Sequence, residues 1–336
     1  MQFARNLKFI PYEKFTNIQY IASGGFSQIY KATWSDCQIS ELTEKPEYKN
    51  NKQPEIILKK LNNFKRITYK ELNELKIFYQ FSLNANINGT KVGTNISTYF
   101  GITQDPVTHD VIIIMQYYNS GDLITYLNDN FYNFRWVTKL YSIKMTIDGL
   151  VELHSLNIIH RDLHSGNILF NRRRYEYASV VISDLGISKS ATESTNNNNE
   201  NDGIIPYMAP ELFRGQKYTT ASDIYSFAMI MWEFMTGRRP FWDEDHDTEL
   251  IIKILDGLRP PIVANAPEGY VELMKECWHS DPNKRPKATD IRDKISIMHK
   301  IEHGNNCENP TEVIKSPDIG PITINNPGAV YKSRPK

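Results

Sequence analysis

The feature that most constrains this chain is residues 221–236, which are apolar on nearly every side. A surface helix keeps one polar face, so a helix without one is stable only when protein surrounds it. The segment therefore predicts a central buried helix with other helices packed around it. Apolar residues at helical spacing predict those helices at 136–154, 249–255, 270–278 and 288–299.

The first third of the chain has a different pattern, made of short runs of β-prone residues. The predicted strands cover residues 18–23, 28–34, 55–61, 98–103 and 111–117. Gly24-Gly25 separates the first two runs and indicates a hairpin. One helix is predicted at 68–81, where apolar residues recur among Glu and Lys. The change from strands to helices near residues 117–121 predicts a small strand-rich lobe followed by a larger helical lobe.

Composition limits the class of protein. The chain has 336 residues and equal numbers of basic and acidic side chains, 39 of each, which argues against a dedicated nucleic-acid binder. Its three cysteines are far apart and form no disulfide framework, so we expect a reducing, cytoplasmic compartment. The sequence shows no signal peptide and no apolar run of about 18 residues that would span a membrane.

Ordered motifs carry the chemistry of the chain. They are Ile56-Ile57-Leu58-Lys59, His160-Arg161-Asp162-Leu163-His164-Ser165-Gly166-Asn167, Asp184-Leu185-Gly186 after an apolar strand, and Ala209-Pro210-Glu211. In this order and in these contexts they resemble the signature set of the eukaryotic protein kinases, over about residues 17–300. The segments 232–233, 277–278 and 281–286 resemble the tyrosine-kinase-like group, whose members mostly phosphorylate Ser/Thr.

The resemblance implies an α+β fold with the bilobal protein-kinase architecture. The small lobe, an antiparallel sheet with one helix, would cover residues 17–117, and the mainly helical lobe residues 118–300. Residues 1–16 would be a lead-in. Residues 301–336 are rich in Pro and Asn without apolar periodicity, so we expect a flexible tail.

The resemblance assigns the phosphate-binding cation to Lys59. Alternation along the strand puts Lys59 and Lys60 on opposite faces, and the register of the motif selects Lys59. Its acidic partner on the following helix would be Glu74, with Glu71 one turn earlier as the fallback.

Three further positions match the reacting centre of the family. Asp162 matches the base that accepts or orients the proton of the substrate hydroxyl. Asn167 and Asp184 match the two metal-binding positions, and an amide and a carboxylate oxygen suit Mg²⁺. His160 is expected to be architectural. Asp223 matches a residue that hydrogen-bonds this loop from below, and Glu211 and Arg285 match a buried ion pair.

The resemblance also predicts where ATP contacts the chain. Met115 aligns with the gatekeeper, Gln116-Tyr117-Tyr118 with the hinge that pairs with adenine, and Asp122 with a ribose contact. Ile21, Ile29 and Ile57 would form the upper wall and Leu169 the floor, although each apolar residue could instead be simple core. The glycine-rich loop falls on Ala22, Ser23, Gly24, Gly25, Phe26, Ser27, Gln28 and Ile29.

That loop departs from the family pattern, because Ala22 and Ser27 stand where glycines would give more backbone freedom. The departure keeps a second hypothesis open, a pseudokinase or scaffold with little turnover. A third hypothesis is a nucleic-acid-binding module, and its only support in the sequence is the cluster Arg172-Arg173-Arg174. The leading hypothesis is an ATP- and Mg²⁺-dependent kinase acting on protein substrates. The oligomeric state is not predicted.

Specificity and control are less constrained by the sequence. His164 stands where Ser/Thr kinases usually carry Lys, and Tyr207 stands where tyrosine kinases usually carry Trp. We favour Ser/Thr or dual specificity. Arg161 directly precedes the base and suits control by a phosphate on residues 184–211. Candidate acceptors are Ser188, Ser190, Thr192, Ser194 and Thr195; an Asn-rich disordered insertion is the equal alternative.

Overall fold

The chain divides into two units at Tyr118. One unit holds residues 1–92 and 97–118, and the other holds residues 93–96 and 119–336. The computed structural model describes residues 8–23, 27–35, 53–61, 77, 95–171, 178–185, 189–190, 203–305, 309–322 and 326–331. The predicted α+β fold, with a strand-rich part followed by a helical part, is confirmed.

The first unit is built on a five-stranded antiparallel sheet in the order β1-β2-β3-β5-β4. Its strands are β1 (Phe15–Ser23), β2 (Ser27–Trp34), β3 (Glu55–Leu61), β4 (Tyr99–Gln104) and β5 (Val111–Gln116). All five predicted strands are present, with ends shifted by up to three residues. The helix predicted at 68–81 lies outside the described residues except for Ile77, which is helical and buried.

Strands β3 and β5 have apolar clusters on both faces, which explains why β5 is a nearly continuous hydrophobic run. On one face Ile56 and Leu58 pack with Trp34 and Phe100. On the other face Ile57 packs with a second cluster that includes Met115. Because successive side chains alternate along a strand, the two clusters take alternate residues of β3.

The second unit is mainly helical. Its helices are α1 (Leu123–Asn130), α2 (Trp136–Ser155), α3 (Pro210–Phe213), α4 (Thr220–Thr236), α5 (Thr248–Leu255), α6 (Tyr270–Cys277) and α7 (Ala288–Asn305). The predicted central helix is α4, and it is buried along most of its length. Thr219 and Ser222 form a capping box at its start, and Gly237 ends it in the left-handed conformation with φ 75°. In the described part of the chain, no helix is long and apolar enough to cross a membrane.

Two short ribbons of the helical unit frame the loops that carry the motifs. β6 (Ile158–Ile159) pairs with β9 (Lys189–Ser190), and β7 (Ile168–Asn171) pairs with β8 (Ser179–Ile182). The residues 160–167 run from β6 to β7, and Asp184 follows β8. Both motifs therefore lie at the ends of paired strands.

The described parts of the C-terminal segment pack against the helical unit, which differs from the flexible tail we expected. Ile319 is only 3% exposed. The Gly320 amide donates to the Thr236 carbonyl at 2.7 Å, and the Tyr132 hydroxyl donates to the Ile319 carbonyl at 3.1 Å. Farther on, the Tyr331 hydroxyl donates to a backbone carbonyl at 2.9 Å. These contacts use backbone groups, so the side-chain pattern did not reveal them.

Candidate active site

The loop 160–167 is anchored from the central helix by Asp223. The carboxylate of Asp223 is buried and accepts hydrogen bonds from the backbone amides of His160, at 2.8 Å, and Arg161, at 3.0 Å. The Nε2 atom of His154 lies 2.9 Å from the same carboxylate. The predicted role of Asp223 is confirmed, while the part of His154 in holding it was missed because a lone helical histidine gives no signal.

His160 links this loop to the strand that leads to Asp184. Its Nδ1 atom accepts from the Asp162 amide at 3.3 Å, and its Nε2 atom lies 3.1 Å from the Ser183 carbonyl oxygen. An amide donor on one nitrogen and a carbonyl on the other place the ring proton on Nε2. The imidazole is completely buried, so its contribution is architectural, as the sequence predicted.

The structure brings the three predicted polar residues of the reacting centre together. The side-chain amide of Asn167 donates to the Asp162 carbonyl at 2.8 Å, and the Ser183 amide donates to the Asn167 carbonyl at 2.8 Å. The charge of Asp184 acts on the Asp162 carboxyl. Asp184 has φ 57°, a strained conformation for a residue other than glycine that is common at functional sites.

The imidazole of His164 governs the electrostatics of Asp162. Burial would raise the pKa of Asp162, but the imidazole of His164, together with His160, outweighs burial and the charge of Asp184 and lowers that pKa below its usual value. The His164 Nε2 atom lies 3.8 Å from the Asp162 carboxylate. Asp162 is therefore ionised at neutral pH, which is the state that can accept a proton.

Lys59 lies in the middle of β3 and is 9% exposed. It stands opposite Ile29 of β2 and Ile113 of β5. Lys60 points to the other face, where its Nζ atom donates a hydrogen bond to the Asp105 carboxylate at 2.8 Å. The expectation that the two lysines lie on opposite faces is confirmed.

The predicted apolar contacts of the first unit differ in exposure. Ile57 stands opposite Met115 across the sheet and packs in the same cluster. Ile29 is half-buried, whereas Ile21, Ala22 and Ser23 are exposed. Ser27 is buried at the start of β2. The predicted residues Gly24, Gly25, Phe26 and Glu74 lie outside the described residues.

The predicted hinge residues are held by local hydrogen bonds. The Gln116 amide donates to the Thr98 carbonyl at 3.0 Å, and the Tyr118 hydroxyl accepts from the Thr98 amide at 3.2 Å. In the helical unit, Asp122 caps α1 by accepting from the Thr125 amide at 2.9 Å, so part of its carboxylate has a structural role. Asp122 also forms a backbone bridge with Leu169.

Comparison with known proteins identifies the family. The family described as protein tyrosine and serine/threonine kinase matches residues 15–295. The chain belongs to this protein kinase family. The expectation from the ordered motifs is thereby confirmed.

Several curated kinases are similar to this one. The probable serine/threonine-protein kinase pats1 of Dictyostelium discoideum is 29% identical over 85% of this chain and 8% of its own length. A putative serine/threonine-protein kinase/receptor of Acanthamoeba polyphaga mimivirus is 31% identical over 62% of this chain and 13% of its own. Ephrin type-A receptor 6 of Rattus norvegicus is 30% identical over 58% and 19%. The chain thus spans less than a fifth of each of these relatives.

A buried hydrogen-bond network lies beside the loop 160–167, and it was not predicted from the sequence. The Tyr207 hydroxyl donates to Glu233 Oε1 at 2.6 Å and lies 3.1 Å from Ser165 Oγ. Burial raises the pKa of Glu233 to about 7. The signal that could have indicated the network is the carboxylate of Glu233 within an otherwise apolar helix.

The predicted buried ion pair of the kinase is present. The Arg285 guanidinium binds both carboxylate oxygens of Glu211, each at 2.7 Å, and also the Ala221 carbonyl at 2.8 Å. This bidentate geometry ties α3 to the start of α4 and to the segment before α7.

Proposed function

We propose that this kinase domain transfers the γ-phosphate of ATP to hydroxyl groups of protein substrates, with serine and threonine as the favoured acceptors. The observation that carries the proposal is Asp162, an ionised carboxylate on a loop that is anchored to the buried helix α4 through Asp223. The names of the relatives pats1 and the mimivirus protein support the Ser/Thr preference.

Asp162 would accept or orient the proton of the substrate hydroxyl as the oxygen attacks phosphorus. A carboxylate with a lowered pKa is a weak base, so positioning the hydroxyl is the larger part of this role. Lys59 would bind the phosphates, since its ammonium is a compact positive charge carried by a central strand. In the same proposal Glu74 would hold Lys59, and the residues named above for the nucleotide would contact ATP.

Family membership implies a divalent metal, and we propose Mg²⁺ held by Asn167 and Asp184. The side-chain NH₂ of Asn167 already donates to the Asp162 carbonyl, so its amide oxygen is the atom suited to a cation. Asp184 adds a carboxylate, and this hard-oxygen donor set fits Mg²⁺. When bound, the metal would neutralise charge on the phosphates.

The proposed catalytic domain covers residues 17–300, with residues 17–117 and 118–300 as its lobes. A cytoplasmic location is supported by Cys277, a free thiol buried in the helical unit. The balanced charge supports a protein substrate over a nucleic-acid or membrane partner.

The experiment is transfer of labelled γ-phosphate by the purified full chain, with Asp162→Asn as the test variant. Asp129→Asn, at an exposed position on α1, is the matched control. We expect the wild type and the control to transfer phosphate and the test variant to lose at least 99% of the rate, on the order of the 100-fold contribution of a general base. Transfer that survives in Asp162→Asn would refute the assignment.

The same preparation decides between kinase and scaffold. A wild-type chain that is stabilised by ATP with Mg²⁺ but transfers nothing would favour the pseudokinase reading. Phosphoamino-acid analysis of the product then tests specificity, since exclusive phosphotyrosine would contradict the Ser/Thr preference.

A further inference from the structure

The imidazole of His164 is held in one defined orientation. Its Nδ1 atom accepts a hydrogen bond from the Gly166 amide at 3.1 Å. A nitrogen that accepts from an amide carries a lone pair, so a neutral imidazole in this position bears its proton on Nε2. That Nε2 atom is the one that faces the Asp162 carboxylate, 3.8 Å away.

The surroundings of the ring fit it closely. A Cβ atom at Gly166 would lie 2.8 Å from Cε1 and 3.0 Å from Nδ1 of His164, closer than side chains pack. The ring of Tyr207 lies on another side, with ring centroids 5.9 Å apart. The His164 side chain is only 16% exposed. A side chain at position 166 would therefore displace the ring, so the glycine and the histidine form a matched pair.

We propose that His164 is a positioning residue for the phosphate-transfer reaction, whose Nε2–H group orients the Asp162 carboxylate towards the substrate hydroxyl. This inference rests on the proposed function, in which Asp162 is the base. The separation of 3.8 Å exceeds a direct hydrogen bond. Closing it needs a shift of about 1 Å, of the kind that catalytic contacts make when substrate binds.

Two substitutions separate the two nitrogens of His164. His164→Asn puts an amide oxygen near the place of Nδ1, so it keeps an acceptor for the Gly166 amide but does not reach Asp162. His164→Gln puts its terminal NH₂ near the place of Nε2, so it keeps a donor towards Asp162. We expect His164→Asn to lower kcat about tenfold or more, with KM for ATP unchanged, and His164→Gln to restore much of kcat.

Substitution of Gly166, alone and together with His164, gives a second test of the proposal. Gly166→Ala should lower kcat by displacing the ring, and in the background of His164→Asn it should cause little further loss, because the contact is already gone. Wild-type kcat in His164→Asn, equal losses in the Asn and Gln variants, or independent losses for the two positions would each overturn the proposal.

Nitrogen NMR of ¹⁵N-histidine-labelled full chain tests the inference without activity. His164→Gln identifies the signal of His164. We expect a proton on Nε2 and a shift of that signal in Asp162→Asn. A proton on Nδ1, or no response to Asp162→Asn, would overturn the inference. A wild type that transfers no phosphate but shows this signature would instead contradict the proposed function.

Discussion

Lys139, in the middle of α2, gives a prediction that is independent of catalysis. Its side chain is completely buried, and its Nζ atom has no hydrogen-bond partner among the described residues. The ammonium lies over the ring of Phe131, 4.1 Å from the centroid, and near Trp136, 5.1 Å from the centroid. Burial lowers the pKa of Lys139 from 10.5 to about 7.

The lowered pKa of Lys139 gives the free-energy cost of burying its charged form. A difference of about 3.5 pKa units corresponds to about 5 kcal/mol at 1.36 kcal/mol per unit. This is the whole difference between the charged and the neutral side chain, so any attraction of the cation to the aromatic rings is already contained in it. Between pH 7 and about 10 the unfolded chain binds a proton that the folded chain does not, so stability rises with pH. Below pH 7 both states are charged and the full cost remains.

The assay is chemical unfolding of wild type and Lys139→Met at pH 6, 7.5 and 9. Met keeps the length of the side chain without the charge. We expect the variant to be more stable at pH 6 by about 5 kcal/mol, with the difference shrinking by about 1.4 kcal/mol per unit above pH 7. Lys144→Met, on the same helix but partly exposed and paired with Asp148, is the control and should change stability by less than about 1 kcal/mol. A less stable Lys139→Met variant, or a difference independent of pH, would refute the reasoning.

Three further substitutions test packing in the helical unit. Arg285→Met leaves the Glu211 carboxylate buried without its cation and should lower the free energy of unfolding by about 3–5 kcal/mol; calorimetry that shows an unchanged melting temperature would contradict this. Gly237→Ala places a Cβ atom 2.7 Å from the Phe131 ring at φ 75°, so a loss of at least about 1 kcal/mol is expected in urea titration, and a neutral result would rule out strain at this position. Ile319→Asp should release the C-terminal segment, seen as faster protease cleavage within residues 309–322; equal cleavage rates would show that Ile319 does not anchor it.

The sheet and the reacting centre could be predicted because their residues carry local signals. Strand β3 has the bounds that alternating and apolar residues indicated, and Lys59 and Lys60 separate onto its two faces. The order of motifs placed Asp162, Asn167 and Asp184 in one centre, and hydrogen bonds between their loops confirm that neighbourhood. The roles of these three residues in catalysis stay predictions.

Contacts between distant segments could not be predicted, since they depend on backbone groups and on packing. The segment 309–322 has no apolar periodicity, yet its Ile319 is buried and its carbonyls accept from Tyr132 and Arg238. The contact of Gly166 with His164 is local, but it could not be predicted either, because it also depends on a backbone amide. A histidine followed two residues later by a glycine does not by itself indicate that the imidazole accepts a hydrogen bond from the glycine amide.

The central helix explains why the polar parts of the site are so firmly held. Its sequence is apolar except for a few positions, and its two carboxylates, Asp223 and Glu233, are both buried. Burying a carboxylate is costly unless hydrogen bonds replace water. Asp223 obtains them from the backbone of the loop that carries Asp162. Glu233 obtains one, at Oε1, from Tyr207 in the segment that follows residue 203, while its Oε2 atom has no partner among the described residues. Two loops are therefore fixed to one rigid helix, and a polar residue within an apolar helix marks where that helix holds the site.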